Sequence, residues 1–135
     1  GKSEDAEERL NTIIKENPGN YYAWEKLLLL LFDTEQFKKL EQKGNECATR
    51  FNRSFLAKML YATGAAENKN YEIALEELRK ATILAGSEVE MLMQVLAVKA
   101  DVYYRMKDYV RAFETFEEAI KTDDSDLTII NNYAY

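Results

Sequence analysis

Carboxylates are the commonest groups in this chain that could do chemistry: 24 Asp and Glu face 18 Lys and Arg, with no histidine and one cysteine. Three neighbouring pairs stand out, Glu76-Glu77, Glu117-Glu118 and Asp123-Asp124. Paired carboxylates can serve as acid and base in glycoside hydrolysis, but adjacent side chains on a helix point about 100 degrees apart and do not converge on one bond. The run Asp123, Asp124, Ser125, Asp126 offers the oxygen ligands calcium takes, yet lacks the glycine and terminal bidentate Glu of a calcium-binding loop. It reads as a loop between helices, with Ser125 or Asp126 capping the next one. The absence of histidine removes the commonest general base and the commonest metal ligand. The five glycines are scattered and form no phosphate-binding loop. Cys47 falls at a small-residue packing position, where a buried, inert thiol is expected instead of a nucleophile. The residues therefore point to no catalytic group, no metal and no cofactor, and away from an enzyme.

Charge narrows the partners. The net charge is -6 and the isoelectric point near 4.8, so a nucleic-acid backbone would be repelled unless the cations were gathered on one face. The densest group, Lys38, Lys39 and Lys43, reads as a solvated helix face. The longest apolar run, Leu27 to Phe32, is far short of the roughly 18 residues a membrane span needs. A soluble chain without membrane insertion is expected, in either cytoplasm or cell envelope, and the lone cysteine forms no internal disulfide.

The elements that would position these side chains are amphipathic helices. Residues 93–126 contain one complete helical hairpin: Leu96, Ala100 and Tyr103 make a stripe on its first helix, Ala112, Phe116 and Ala119 on its second, and Lys107-Asp108 mark the turn. This order of large, small and Tyr, then Ala, aromatic and Ala, resembles the tetratricopeptide repeat. The same pattern occurs in residues 21–54 and again in residues 55–88, which begin 34 residues later (55 minus 21), the period of that family. Trp24 stands where the family signature has a Trp. Ala74 to Ala112 spans 38 residues (112 minus 74), and the surplus of about one helical turn lies in Gly86 to Leu92. The first helix of the third repeat should therefore be longer, starting near Ser87 or Glu88 with Ser87 as its cap.

Both ends read as partial repeats. Residues 3–18 carry Ala6, Leu10, Ile13 and Ile14 on one stripe, close at Pro18-Gly19 and match a second helix. Residues 127–135 restart a first helix at Asp126, and Asn131-Asn132-Tyr133-Ala134-Tyr135 resembles first helices in large bacterial proteins of the family. The chain thus looks like a fragment of a longer array, with Ile129, Ile130, Tyr133 and Tyr135 partly uncovered and self-association through the cut ends possible. In residues 21–54, Leu28 and Leu40 occupy small-residue sites, while Gly44 and Cys47 stand where the best repeat has Phe116 and Ala119. This hairpin should be the least regular, with Gly44 costing about 1 kcal/mol relative to Ala.

The resemblance implies an all-α, right-handed superhelix of antiparallel helix pairs, about seven helices in one domain, acting as a protein-interaction scaffold. It assigns the inner, concave side to residues of the first helices, and the expected peptide-binding set is Tyr22, Leu29, Phe32, Met59, Asp101, Tyr104 and Arg105. Glu25, Asp33 and Glu67 lie on the same side, so a partner segment bearing Lys or Arg is favoured. The Lys, Asn and Arg clamp by which one subgroup grips carboxylate tails is not matched, because Tyr22, Glu25, Leu29, Leu56 and Met59 stand where it would begin. The alternative is a structural or oligomerisation segment of a larger repeat protein, with no ligand of its own.

Overall fold

The computed structural model describes the backbone of residues 1–134 and the side-chain surroundings of residues 1–123. Seven helices follow one another: α1 (Lys2–Glu16), α2 (Tyr21–Asp33), α3 (Phe37–Arg50), α4 (Phe55–Glu67), α5 (Tyr71–Ala85), α6 (Val89–Arg105) and α7 (Tyr109–Ala134). The architecture is the expected all-helical, tetratricopeptide-like solenoid. Hairpins α2/α3, α4/α5 and α6/α7 are joined by the junctions α1/α2, α3/α4 and α5/α6, while α4 also touches α2 and α6 along one side.

The boundaries follow from local chemistry. Helix α1 ends at Asn17, ahead of Pro18, whose missing N–H cannot continue the ladder. The indole Nε1 of Trp24 donates to the Pro18 carbonyl at 2.8 Å, which ties the α1/α2 junction to the core. At the start of α2, the Asn20 side chain accepts from the Ala23 amide; at the start of α4, Ser54 accepts from Ala57. Ser54 Oγ also meets the Tyr21 hydroxyl at 2.7 Å, linking the starts of two consecutive first helices.

The turn inside each hairpin is built one way three times. Gln36, Asn70 and Asp108 donate their amides to the carbonyls of Leu31, Ala65 and Tyr103, five residues back, and Glu35, Lys69 and Lys107 donate to Phe32, Ala66 and Tyr104. This closure places Glu35, Lys69 and Lys107 at φ of 56, 67 and 64 degrees, the left-handed region that disfavours residues with a Cβ.

Helix α6 has 17 residues where α2 and α4 have 13, so the surplus between repeats lengthens the first helix by one turn, as expected. Its cap is Glu88, however, with no side-chain hydrogen bond; Ser87 lies one residue too early to serve. A second difference concerns the loop expected at Asp123 to Asp126: α7 runs unbroken from Tyr109 to Ala134. Nothing between those residues stops a helix, since Asp and Ser favour helix starts but neither Gly nor Pro is present. Ile129, Ile130, Tyr133 and Tyr135, expected to be partly uncovered, lie outside the described side chains.

Two apolar clusters form the core. The first joins Ile14 of α1, Trp24, Leu27, Leu28 and Leu31 of α2, and Leu40 and Cys47 of α3 to α4; the second joins α4 to α5 and α6 through Ala62, Ala65, Leu78, Val95 and Val102. Between them α3 and α4 lie almost backbone to backbone. A Cβ on Gly44 would stand 2.9 Å from Tyr61 Cα, and one on Gly64 would stand 2.8 Å from the Glu41 nitrogen. Gly44 is therefore no mere loss of helix propensity, because the irregular repeat of residues 21–54 needs it to admit α4. Ala at either glycine gains about 1 kcal/mol of propensity but forces backbone apart at a cost of roughly 1–3 kcal/mol. Gly44→Ala and Gly64→Ala should each lower stability to urea, by about 1 kcal/mol net. Unchanged or higher midpoints would show that the helices do not meet this closely.

Candidate protein-interaction faces

The sequence-predicted inner-face residues divide into three groups. Leu29 is half-buried against the first cluster and Met59 is buried in the second, so both form floor and offer little to a ligand. Their burial follows from the direct contacts of α4 with α2 and α6 on this side. Asp101 and Arg105 form a second group with Glu67 of α4. Arg105 Nε lies 2.8 Å from Asp101 Oδ2 and its Nη2 lies 2.8 Å from Glu67 Oε1, so one guanidinium bridges α6 to α4. The Glu67 hydrogen bond, with Asp101 adding to it, raises the Arg105 pKa and keeps it charged.

The third group is aromatic and exposed. Tyr22 is 66% exposed with the Lys26 ammonium 5.2 Å above its ring, Phe32 is 41% exposed and Tyr104 is 61% exposed. Tyr104 meets Tyr109 edge to face at 5.4 Å, which holds it near the α6/α7 turn. Tyr104 lies on α6, whereas Tyr22 and Phe32 lie on α2 in the first hairpin.

Two features escaped sequence reading. A groove of about 690 Å³ crosses the outer side between α1 and α3, with Ile14, Trp24, Leu27 and Leu31 as its floor and Glu7, Lys15, Lys39 and Lys43 among its rim residues. Its floor residues remain in the first core cluster, Leu27 and Leu31 at 1% exposure, so the groove is lined mainly by its polar rim. Glu7 closes one edge, accepting from Lys39 Nζ at 2.8 Å and Gln36 Nε2 at 3.1 Å. The second feature lies on α7, where Tyr109, Val110, Phe113, Phe116 and Ile120 are all exposed. Phe116 was expected to share the stripe of Ala112 and Ala119. The stripe facing α6 instead takes Ala112 and Thr115, both buried, and Phe116 is turned sideways, 56% exposed. The spacing 109, 113, 116, 120 could have revealed this face, since it is a separate helical stripe.

Cys47 is fully buried; burial, followed by the charge of Glu25, pushes its thiol up to about 11. It is neutral at physiological pH and out of reach of reagents. Among the described residues no three His, Cys, Asp or Glu side chains converge as a metal site, and no helix is long and apolar enough to cross a membrane.

Helix pairs of this length, closed by repeated left-handed turns and stacked through alternating junctions, make a tetratricopeptide-like helical solenoid. Comparison with solved structures agrees. The chain is similar to "MamA 41-end from Desulfovibrio magneticus RS-1", with a TM-score of 0.77 and 18% identity over 93% of this chain and 68% of that one. A MamA RS-1 double mutant matches with a TM-score of 0.76 and 17% identity, over the same shares of the two chains. A further structure of MamA gives 0.76 and 17% over 90% of this chain and 69% of the other. At such identities the likeness concerns the fold alone. No protein-family model matches the chain, and no curated protein sequence does.

Two outcomes follow. Because the Lys39 hydrogen bond lowers the Glu7 pKa below its ordinary 4.5, the bridge stabilises the fold above that pH and is lost as pH falls through the folded pKa. Thermal melting of Glu7→Gln should fall below wild type at pH 7, by the equivalent of about 1 kcal/mol or less for a pair with one exposed partner. The two should converge in acid; a gap independent of pH would show that Glu7 acts through packing. Cys47 should resist a thiol reagent at pH 8 until urea unfolds the chain, and rapid labelling of the native protein would contradict its burial.

Proposed function

We propose that this chain is a protein-interaction scaffold whose inner side takes up a peptide segment of a partner through aromatic contacts. The observation that carries it is the exposure of Tyr22, Phe32 and Tyr104 on first helices whose other large residues are packed. Exposed aromatics with few rotatable bonds are the usual anchors of protein interfaces. Leu29, half-buried, adds apolar surface on the same side, while Met59 is buried in the core. Glu25 and Asp33 of α2 add acid that is unpartnered among the described residues, whereas Asp101 and Glu67 are engaged by Arg105. A segment with an apolar side chain near a Lys or Arg is the ligand this surface suits. The similarity to MamA structures supports a scaffold fold without naming a ligand.

A second reading, a structural segment of a larger assembly, is favoured by the exposed stripe on α7. A pull-down with wild type and with Phe32→Ala plus Tyr104→Ala separates the readings. Both substitutions remove exposed rings, so helicity should be unchanged, and loss of a central anchor should weaken binding by roughly 2 kcal/mol, about thirtyfold. Identical partners in identical amounts from both proteins would overturn the inner-face reading.

A further inference from the structure

The central residue of the α7 stripe has a covered equivalent inside the same molecule. Phe113, Phe116 and Ile120 stand 38 residues after Leu75, Leu78 and Thr82 of α5 (113 minus 75), the same shift that relates Ala74 to Ala112 and Lys69 to Lys107. On α5 this face lies against α6 at its centre: Leu78 is 1% exposed and Leu75 is half-buried, while Thr82 is exposed and lines an open groove with Lys99 and Tyr103. One period earlier, the face of α3 holds Glu41, Gly44 and Ala48 and lies against α4. On α7 the matching residues are 64%, 56% and 59% exposed. Tyr109 and Val110 extend the stripe, and they too are exposed. Five large apolar side chains along three turns make a patch that single exposed residues elsewhere on the surface do not.

We propose that this face of α7 is a docking site for an amphipathic helix of a partner, seated as α6 sits on α5, with an apolar stripe flanked by lysine. Shape and charge both come from the internal junction. Lys99 of α6 lines the α5 surface together with Glu72 and Glu76. Glu114 is the residue 38 positions after Glu76 (114 minus 76), and Glu117 follows it one turn later on the same flank. Arg79, which forms an ion pair with Glu76 at 2.6 Å on α5, is replaced at the equivalent position by Glu117, so α7 offers acid where α5 offers a balanced pair. A helix with lysine at the position of Lys99 finds two carboxylates beside the apolar seam. Binding buries the Phe113, Phe116 and Ile120 side chains, and the charges fix its register.

The probe is a synthetic peptide of the α6 sequence, residues 89–105, titrated into the full chain and followed by calorimetry, with light scattering of the chain alone as a companion. Saturable 1:1 binding is expected. It should weaken roughly tenfold or more with Phe116→Glu, a change at an exposed position that leaves helicity intact, and be largely kept with Phe116→Leu. A peptide carrying Lys99→Glu should bind less well to wild type and regain affinity for a chain with Glu114→Lys plus Glu117→Lys; a greasy, unregistered contact would show no such exchange. No binding at millimolar peptide, or equal binding to wild type and Phe116→Glu, overturns the proposal. A stable dimer of the chain alone that Phe116→Glu dissolves also overturns it, because the occupant is then a second copy.

Discussion

The approach of α3 to α4 is the contact on which the rest of the structure depends. Two glycines, one on each helix, leave no room for a methyl group, and the backbone of the neighbour occupies that space. The consequence is reciprocal. With α3 so close, α4 can give Ala57, Leu60 and Tyr61 to the first cluster while giving Met59, Ala62, Ala65 and Ala66 to the second. One helix thus joins the two halves of the core, and it is nearly all small or apolar for that reason. The large residues Leu28 and Leu40 at sites where small ones are usual belong to the same adjustment: bulk lost at Gly44 reappears across the hairpin.

The hairpin turns show the opposite relation between sequence and shape. Thr34-Glu35-Gln36, Asn68-Lys69-Asn70 and Met106-Lys107-Asp108 share little chemistry, yet their hydrogen bonds are the same. Placing Glu35, Lys69 and Lys107 in the left-handed region costs about 1 kcal/mol or more each relative to glycine. The two closing amide bonds and the packing of the helices they join offset that cost. Asn68 adds a longer tie, donating to the Phe37 carbonyl at 3.0 Å and to Glu41 at 2.8 Å, so the second turn is held by the helix before it.

The surface carries two separate apolar resources. Aromatics on the inner side stand singly, Tyr22 near the Lys26 cation and Tyr104 against the Tyr109 ring, whereas α7 presents a continuous stripe with acids on one flank. Single rings suit an extended segment that is read at intervals; a stripe of three turns suits another helix. Scaffolds of stacked hairpins can use both at once, because each hairpin contacts only its neighbours and leaves its remaining surfaces independent.

Helix number, the 34-residue period and the extra turn of α6 were legible in the amino-acid order, because apolar spacing and stop signals are local properties of the chain. The exposure of Tyr22 and Phe32 was legible for the same reason, both lying on the side of α2 away from Trp24, Leu28 and Leu31, whereas Tyr104 was assigned only by the family resemblance. What the chain order could not show was which positions neighbouring helices would cover. Met59 and Leu29 share that side with the aromatics, but direct contact among the first helices buries one and half-buries the other. Arg105 was free to meet a ligand until Glu67, 38 residues away (105 minus 67), was brought within 2.8 Å. Gly44 counted as a weakness in its own helix and became a requirement only when Tyr61 arrived against it. Local order determined the elements and their faces; tertiary packing decided which faces were spent, since contacts between helices depend on residues far apart in the chain.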